Sequence, residues 1–216
     1  MNRIIQACFL SLFMLFLPPS AQAQDAAGAE TLVKDVTNEV LRILREDKGI
    51  QSGDRQRATS VIETEVAPHF DFGRMTNLAV GAAWKRASAD QQQELVREFR
   101  TLLVRTYANA LVEYRNQTVS FRPAKPGETG EVRVPCQINQ PGGRPIALVY
   151  SLAKTGDEWK VFDVVIDNIS LVTNYRSTFT AEVEKGGIDG LIKALQTKNR
   201  TLKTTPAPVA NDGKQE

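Results

Sequence analysis

One histidine and two cysteines are all the imidazole and thiol chemistry this 216-residue chain can offer. The histidine lies in Pro68-His69-Phe70-Asp71, where a nearby carboxylate suggests an acid–base unit. Residues one or two apart do not share a helix face, however, and no serine or cysteine nucleophile accompanies them. With Cys8 inside the N-terminal apolar run, the one histidine and the remaining cysteine cannot make the usual His/Cys zinc site, so no metal is expected. No glycine-rich phosphate cradle follows a predicted strand, and no paired-carboxylate motif occurs. Two acids inside a β-branched run, Asp163 and Asp167, are the remaining candidates. A curved sheet under helices can hold an aspartate as a general base in a pocket, as small isomerases do. An enzyme of that kind is one hypothesis, although no proton donor is placed to assist the acid.

The N-terminus has the layout of an export signal. Asn2 and Arg3 precede an apolar run from Ile4 to Leu17, broken by Pro18-Pro19 and followed by Ala21-Gln22-Ala23. Fourteen residues are too few to span a bilayer as a helix, and the small-x-small triplet predicts cleavage between Ala23 and Gln24. Residues 1–23 are therefore read as a signal peptide, 24–203 as one domain and 204–216 as a disordered Pro/Ala/Asn/Asp/Gly/Lys-rich tail. Cys8 lies at the front of the apolar run, not after it, so a lipid-anchored cysteine is not expected. Cleavage leaves Cys136 alone, without an internal disulfide. The exported chain carries about one net positive charge, far from the basic footprint of a nucleic-acid binder.

Hydrophobic periodicity supplies the elements. Helices are predicted over 29–47, 54–67, 70–84 and 88–116, the last with capping-box spacing at Ser88 and Gln91. Four strands follow at 118–122, 131–139, 144–154 and 158–167, separated by Pro126-Gly127, Pro141-Gly142-Gly143 and Thr155-Gly156-Asp157. Connections this short imply an antiparallel meander. Helices return at 170–185 and 188–198, divided by Gly186-Gly187. The order predicts an α+β fold, with helices packed on one face of a four-stranded antiparallel sheet.

Alternation assigns the strand faces. Val119 and Phe121 point together; Val132, Val134, Cys136 and Ile138 share a face, as do Ile146, Leu148, Tyr150 and Leu152. On the last strand Phe162, Val164 and Ile166 are expected on the apolar face and Trp159, Val161, Asp163 and Val165 opposite. One sheet face is thus apolar from edge to edge. Helices closing over it would make an ordinary core, and pattern alone favours that reading. A lined cavity needs the same residues.

From Asp163-Val164-Val165-Ile166-Asp167-Asn168-Ile169-Ser170 through Leu171-Val172-Thr173-Asn174-Tyr175-Arg176 to Phe179, the chain resembles the MlaC family. These toluene-tolerance auxiliary proteins are periplasmic phospholipid-binding components of the system that maintains outer-membrane lipid asymmetry. Val66–Met75, Ala79–Trp84 and Gly187–Ile192 agree as well, and the resemblance spans roughly residues 29–200.

The resemblance implies a non-enzymatic carrier, monomeric and periplasmic. A lipid-sized apolar pocket would lie between helices and sheet, with acyl chains inside and the head group at its mouth. Phospholipid is then cargo, not a cofactor. The sheet wall would comprise Val119, Phe121, Val132, Val134, Ile146, Leu148, Tyr150, Val164 and Ile166. Facing it would be Phe70, Met75, Leu78, Tyr107, Leu111, Tyr175 and Phe179. The implied partners are an outer-membrane lipoprotein–porin complex and an inner-membrane ABC-type lipid transporter with a lipid-binding ring. An exported adaptor with a filled core is the structural alternative.

Overall fold

The computed structural model describes residues 21–128 and 130–204. Positions 1–20 of the expected signal and 205–216 of the expected tail lie outside the described residues. No described helix is long and apolar enough to cross a membrane.

Helix α1 runs from Ala21 to Glu46. It starts earlier than the apolar stripe predicts, because Ala21, Ala23, Ala26 and Ala27 have high helix propensity. Asp47 ends it and caps the short α2 (Lys48–Gln51), accepting from the Gly49 and Ile50 amides. Asp54 caps α3 (Arg55–Val61) in the same way. A π turn (Ile62–Val66) and a 3-10 turn (Ala67–His69) then carry the chain towards the sheet. Helix α4 covers Phe72–Val80 and runs into a 3-10 turn at Gly81–Arg86. Gly81 makes that change at φ 64, ψ −135, a conformation essentially closed to other residues. Helix α5 (Ala89–Val112) carries the full Ser88–Gln91 capping box.

The sheet contains the predicted meander and two added short strands. Its strands are β1 (Thr118–Phe121), β2 (Lys125–Pro126), β3 (Glu131–Asn139), β4 (Ile146–Thr155), β5 (Glu158–Ile166) and β6 (Ile169–Ser170). The order is β1-β3-β4-β5-β6, with β2 also on β3, and all pairs are antiparallel. Two-residue strands leave no periodic trace, so β2 and β6 are absent from the sequence reading. Helix α6 spans Leu171–Thr204 and is interrupted at Gly186 and at Gly187 (φ 65, ψ −164).

A β-bulge corrects the expected faces of β5. Leu152 pairs with Val161, but Tyr150 pairs with Val164. The extra residue, Phe162, reverses the alternation between the two halves of the strand. Val161 therefore joins Val164 on the apolar face with Leu152. Phe162 leaves that face, and the Arg74 guanidinium sits 3.5 Å from its ring centroid. Arg74 also pairs with Glu131 at 2.5 Å, which ties the start of α4 to β3.

Buried apolar side chains form three clusters. One unites α4, α5 and α6 around Met75, Leu95, Phe99 and Leu191. A second sets the apolar sheet face against Ala29 and Val33 of α1. The third packs α1, α2, α3 and α5 around Leu44, Ile50, Ala58 and Ala108. Among the described residues, Phe70 alone packs against both the α4–α6 cluster and the sheet cluster. Its backbone reinforces that junction: Phe70 bridges to Val161, and the Asp71 amide donates to the Val161 carbonyl at 2.9 Å.

Candidate functional site

Exposure along the apolar sheet face changes from one end to the other. Helix α1 covers the Val132, Leu152 and Val161 end, where Gly28 lies close to the Trp159 indole. Glu30 secures the helix there by accepting from the Ala124 amide at 2.8 Å. Towards the other end, Val119, Ile138, Ile146 and Ile166 retain accessible surface. Their registers are Val119 with Ile138, Ile138 with Ile146, and Leu148 with Ile166. Ile169, on the adjoining β6, is 61% exposed and is the exposed large hydrophobic residue among those described.

Tyrosines mark the interior of this region. Tyr150 stands mid-sheet, half-buried and packed only on the sheet cluster. Tyr107 of α5 packs on both helix clusters. The two phenols are close enough to influence each other electrostatically, and Tyr150 also feels Cys136. Burial pushes Tyr107 up to about 12 and Tyr150 above the ordinary phenol range. The apolar sheet face is thus covered at the Phe70–α1 end and keeps accessible surface towards the Ile146–Ile166 end. The Cys136 thiol lies in the same apolar setting and is raised to about 11 by burial, so it is inert at neutral pH.

These shifts predict an alkaline signature. An unfolded phenol ionises near 10, whereas folded Tyr107 does so at about 12. The fold holds that proton longer, so the linked stability is complete below pH 10 and is lost as pH rises towards 12. Phenolate absorbance of native protein should lag behind that of denatured protein across this window; coincident curves would contradict the enclosed placement.

The expected lining residues divide into two groups. Phe70, Leu78, Tyr107, Leu111, Val119, Phe121, Ile146, Tyr150, Ile166 and Tyr175 are half-buried. Val132, Val134, Leu148 and Val164 are buried in the sheet cluster, and Met75 and Phe179 in the α4–α6 cluster. Phe179 and Tyr175 pack with Phe99 in an aromatic trio, with centroids 4.9 to 5.6 Å apart. Arg176 donates to the Leu78 carbonyl at 2.9 Å and so braces α6 against α4. Val36 was not among the expected lining. It is half-buried and falls between the parts of α1 that pack on the sheet (Ala29, Val33) and on the third cluster (Val40, Leu44). Its place in the 29, 33, 36, 40, 44 stripe was the available signal.

None of the acids considered for catalysis is a free base on the apolar sheet face. Asp163 pairs with Ser151, on the face opposite Tyr150 and Leu152. Its carboxylate accepts from the Val164 amide (2.9 Å), the Ser170 hydroxyl (2.7 Å) and the Val172 amide (3.2 Å), which anchors the first turn of α6. Asp167 accepts from Arg144 at 2.8 Å and from the Ala147 amide. Asp71 caps α4 through the Arg74 amide. No group of three potential metal ligands occurs among the described residues. Two surface hollows of about 540 and 550 Å3 lie elsewhere, one lined by Arg42, Asp47 and Arg57, the other by Trp84, Gln92 and Arg100.

Fold and site together define an α+β protein whose antiparallel sheet turns a partly accessible apolar face towards a helical layer. The family model described as MlaC protein matches residues 34–197, and this chain belongs to that family. A solved phospholipid-binding protein from Ralstonia solanacearum, in complex with a phospholipid, superposes with a TM-score of 0.76 at 34% identity, covering 82% of this chain and 99% of that one. Toluene tolerance protein ttg2D of Pseudomonas putida is 25% identical over 159 residues, which is 73% of this chain and 74% of the relative. The intermembrane phospholipid transport system binding protein MlaC of Haemophilus influenzae is 26% identical over 141 residues, 63% and 66% respectively.

Proposed function

We propose that this chain is a soluble periplasmic phospholipid carrier, without catalytic activity, that helps maintain outer-membrane lipid asymmetry. The observation that carries this reading is that, among the described residues, the apolar sheet face and the helix cluster share only Phe70 while the sheet stays accessible beside Ile146 and Ile166, as a cleft between the two layers requires. A filled core would merge the two clusters. The Ralstonia relative, alike in fold and at 34% identity, holds a phospholipid, which supports the same cargo here. Acyl chains occupy the cleft and the head group sits at the open end.

Energetics make such a protein a carrier in need of docking partners. Each buried methylene is worth about 0.8 kcal/mol. A diacyl lipid with roughly 30 methylenes therefore gains at most on the order of 20 kcal/mol by avoiding water. Spontaneous release into an aqueous compartment is negligible on that scale. Lipid leaves when a partner presents a second apolar environment. An outer-membrane lipoprotein–porin complex and an inner-membrane ABC-type transporter with a lipid-binding ring fill these roles, with net flow from outer to inner membrane. The chain carries no phosphate-cradling motif, so energy input comes from the transporter. A monomer freed after Ala23 can diffuse between both membranes.

Protein purified from a bacterial host should carry phospholipid at close to one per chain, seen by native mass spectrometry and by lipid analysis of a solvent extract. Apo protein in the first and no lipid in the second would sink the proposal.

A further inference from the structure

Three phenols, Tyr107, Tyr150 and Tyr175, stand among the apolar side chains of the sheet face and the helices. Tyr175 has Thr106 beside its hydroxyl. Neither the Tyr107 nor the Tyr150 hydroxyl has a hydrogen-bond partner among the described residues. Nor is either oxygen sealed off. Among the described residues, the side-chain polar atom that is both sealed and unpaired is Asn199 Oδ1. Both phenol oxygens are therefore accessible, and Tyr107 on α5 and Tyr150 on β4 lie near enough to interact, so in the carrier reading they face the cargo from opposite walls.

An apolar ligand in contact with these hydroxyls would strip their water and give nothing back, and an unsatisfied buried donor is costly. The ligand that fits places an acceptor between the walls. A charged phosphate is a poor choice, since burial already opposes negative charge at both positions. A neutral carbonyl suits the site. Tyr150 also lies between the open end at Ile146 and the covered end at Leu152. In a lipid with its head at the open end and its tails inside, the head-to-tail junction occupies that level.

We propose that Tyr107 and Tyr150 donate hydrogen bonds to the ester carbonyls at the head-to-tail junction of the cargo, so that the cleft selects ester-linked diacyl lipids over ether-linked ones. The proposal rests on the carrier reading above and adds the linkage chemistry that reading leaves open.

The test offers delipidated full-length protein an equal mixture of diacyl phosphatidylethanolamine vesicles and vesicles of the dialkyl ether analogue with the same head group and chain length. Bound lipid is extracted and its ester-to-ether ratio measured by mass spectrometry. Two lost hydrogen bonds correspond to a preference of about tenfold for the diester in wild type. The ratio should fall to about two or below in the Tyr107→Phe/Tyr150→Phe double variant. Being a ratio, it does not depend on how much lipid each protein takes up in total. Equal uptake of the two lipids by wild type overturns the inference and leaves the carrier reading standing, because the phosphate or the chains alone would then account for binding. A double variant that keeps the full ester preference overturns it as well. Uptake of neither lipid by wild type is the separate outcome that removes the carrier reading itself.

Discussion

Ile166→Trp should weaken the hold of the cleft on lipid while the chain stays folded. Ile166 lies at the open end of the sheet face, paired with Leu148 on one side and Ile169 on the other, and is half-buried. A larger side chain there has room in the cleft, so the core need not be overpacked. The indole adds the bulk of about three methylenes. Each methylene of cargo it excludes forfeits about 0.8 kcal/mol, so affinity for lipid should weaken by roughly 50-fold. Partition of lipid between the protein and an excess of competing vesicles gives the readout, and the denaturant midpoint should remain close to that of wild type. Val149→Trp is the matched control. Val149 pairs with Pro135 and Val165 on the opposite sheet face, so the same bulk there should leave bound lipid unchanged. Wild-type affinity in Ile166→Trp would show that cargo does not pass this end of the sheet.

The elements that a single local pattern specifies were legible in the sequence. The Ser88–Gln91 capping box forms as spaced, β3 spans 131–139 as predicted, and Gly186-Gly187 breaks the last helix. Features that depend on a distant partner were not. The bulge at Phe162 exists because β5 must stay in register with β4 on both sides of it, and strict alternation across 158–167 hides it. Short β2 and β6 are strands only because β3 and β5 lie beside them.

The candidate site follows the same division. An apolar helix face looks identical in sequence whether another helix or a cleft covers it. Met75 and Phe179 lie among helices, whereas Leu78 and Tyr107 of the same pattern keep accessible surface. What separates a lined cleft from a filled core is which clusters touch, and here that depends on Phe70. Its segment, Pro68-His69-Phe70-Asp71, first drew notice as possible acid–base chemistry. In the structure it is a splice: Lys160 donates to the Pro68 carbonyl at 2.8 Å, and Phe70 stacks on Phe72 at 5.8 Å.

Asp163→Ala should be among the most destabilising single changes, and Asp163→Asn should separate its structural role from a catalytic one. The carboxylate is 9% exposed and gathers three donors from β5, β6 and α6. Ser170 in turn accepts from the Thr173 amide at 3.2 Å, so the start of α6 hangs on this cluster. Alanine leaves two amides and a hydroxyl without their acceptor and removes a negative charge from a helix N-terminus. The combined cost is about 3 kcal/mol. For a chain of this size that lowers the melting temperature by roughly 6 to 12 °C. Asparagine keeps one acceptor oxygen for the amides, and the Ser170 hydroxyl can rotate to accept from the new NH2 group. It should therefore recover about half of the loss and carry lipid like wild type. An aspartate acting as a general base would give the opposite pattern, with stability kept and function lost on changing to asparagine. Unfolding midpoints and bound lipid, measured on both variants, decide between the two roles. Lipid missing from a fully stable Asp163→Asn protein would place the carboxylate back in the cleft.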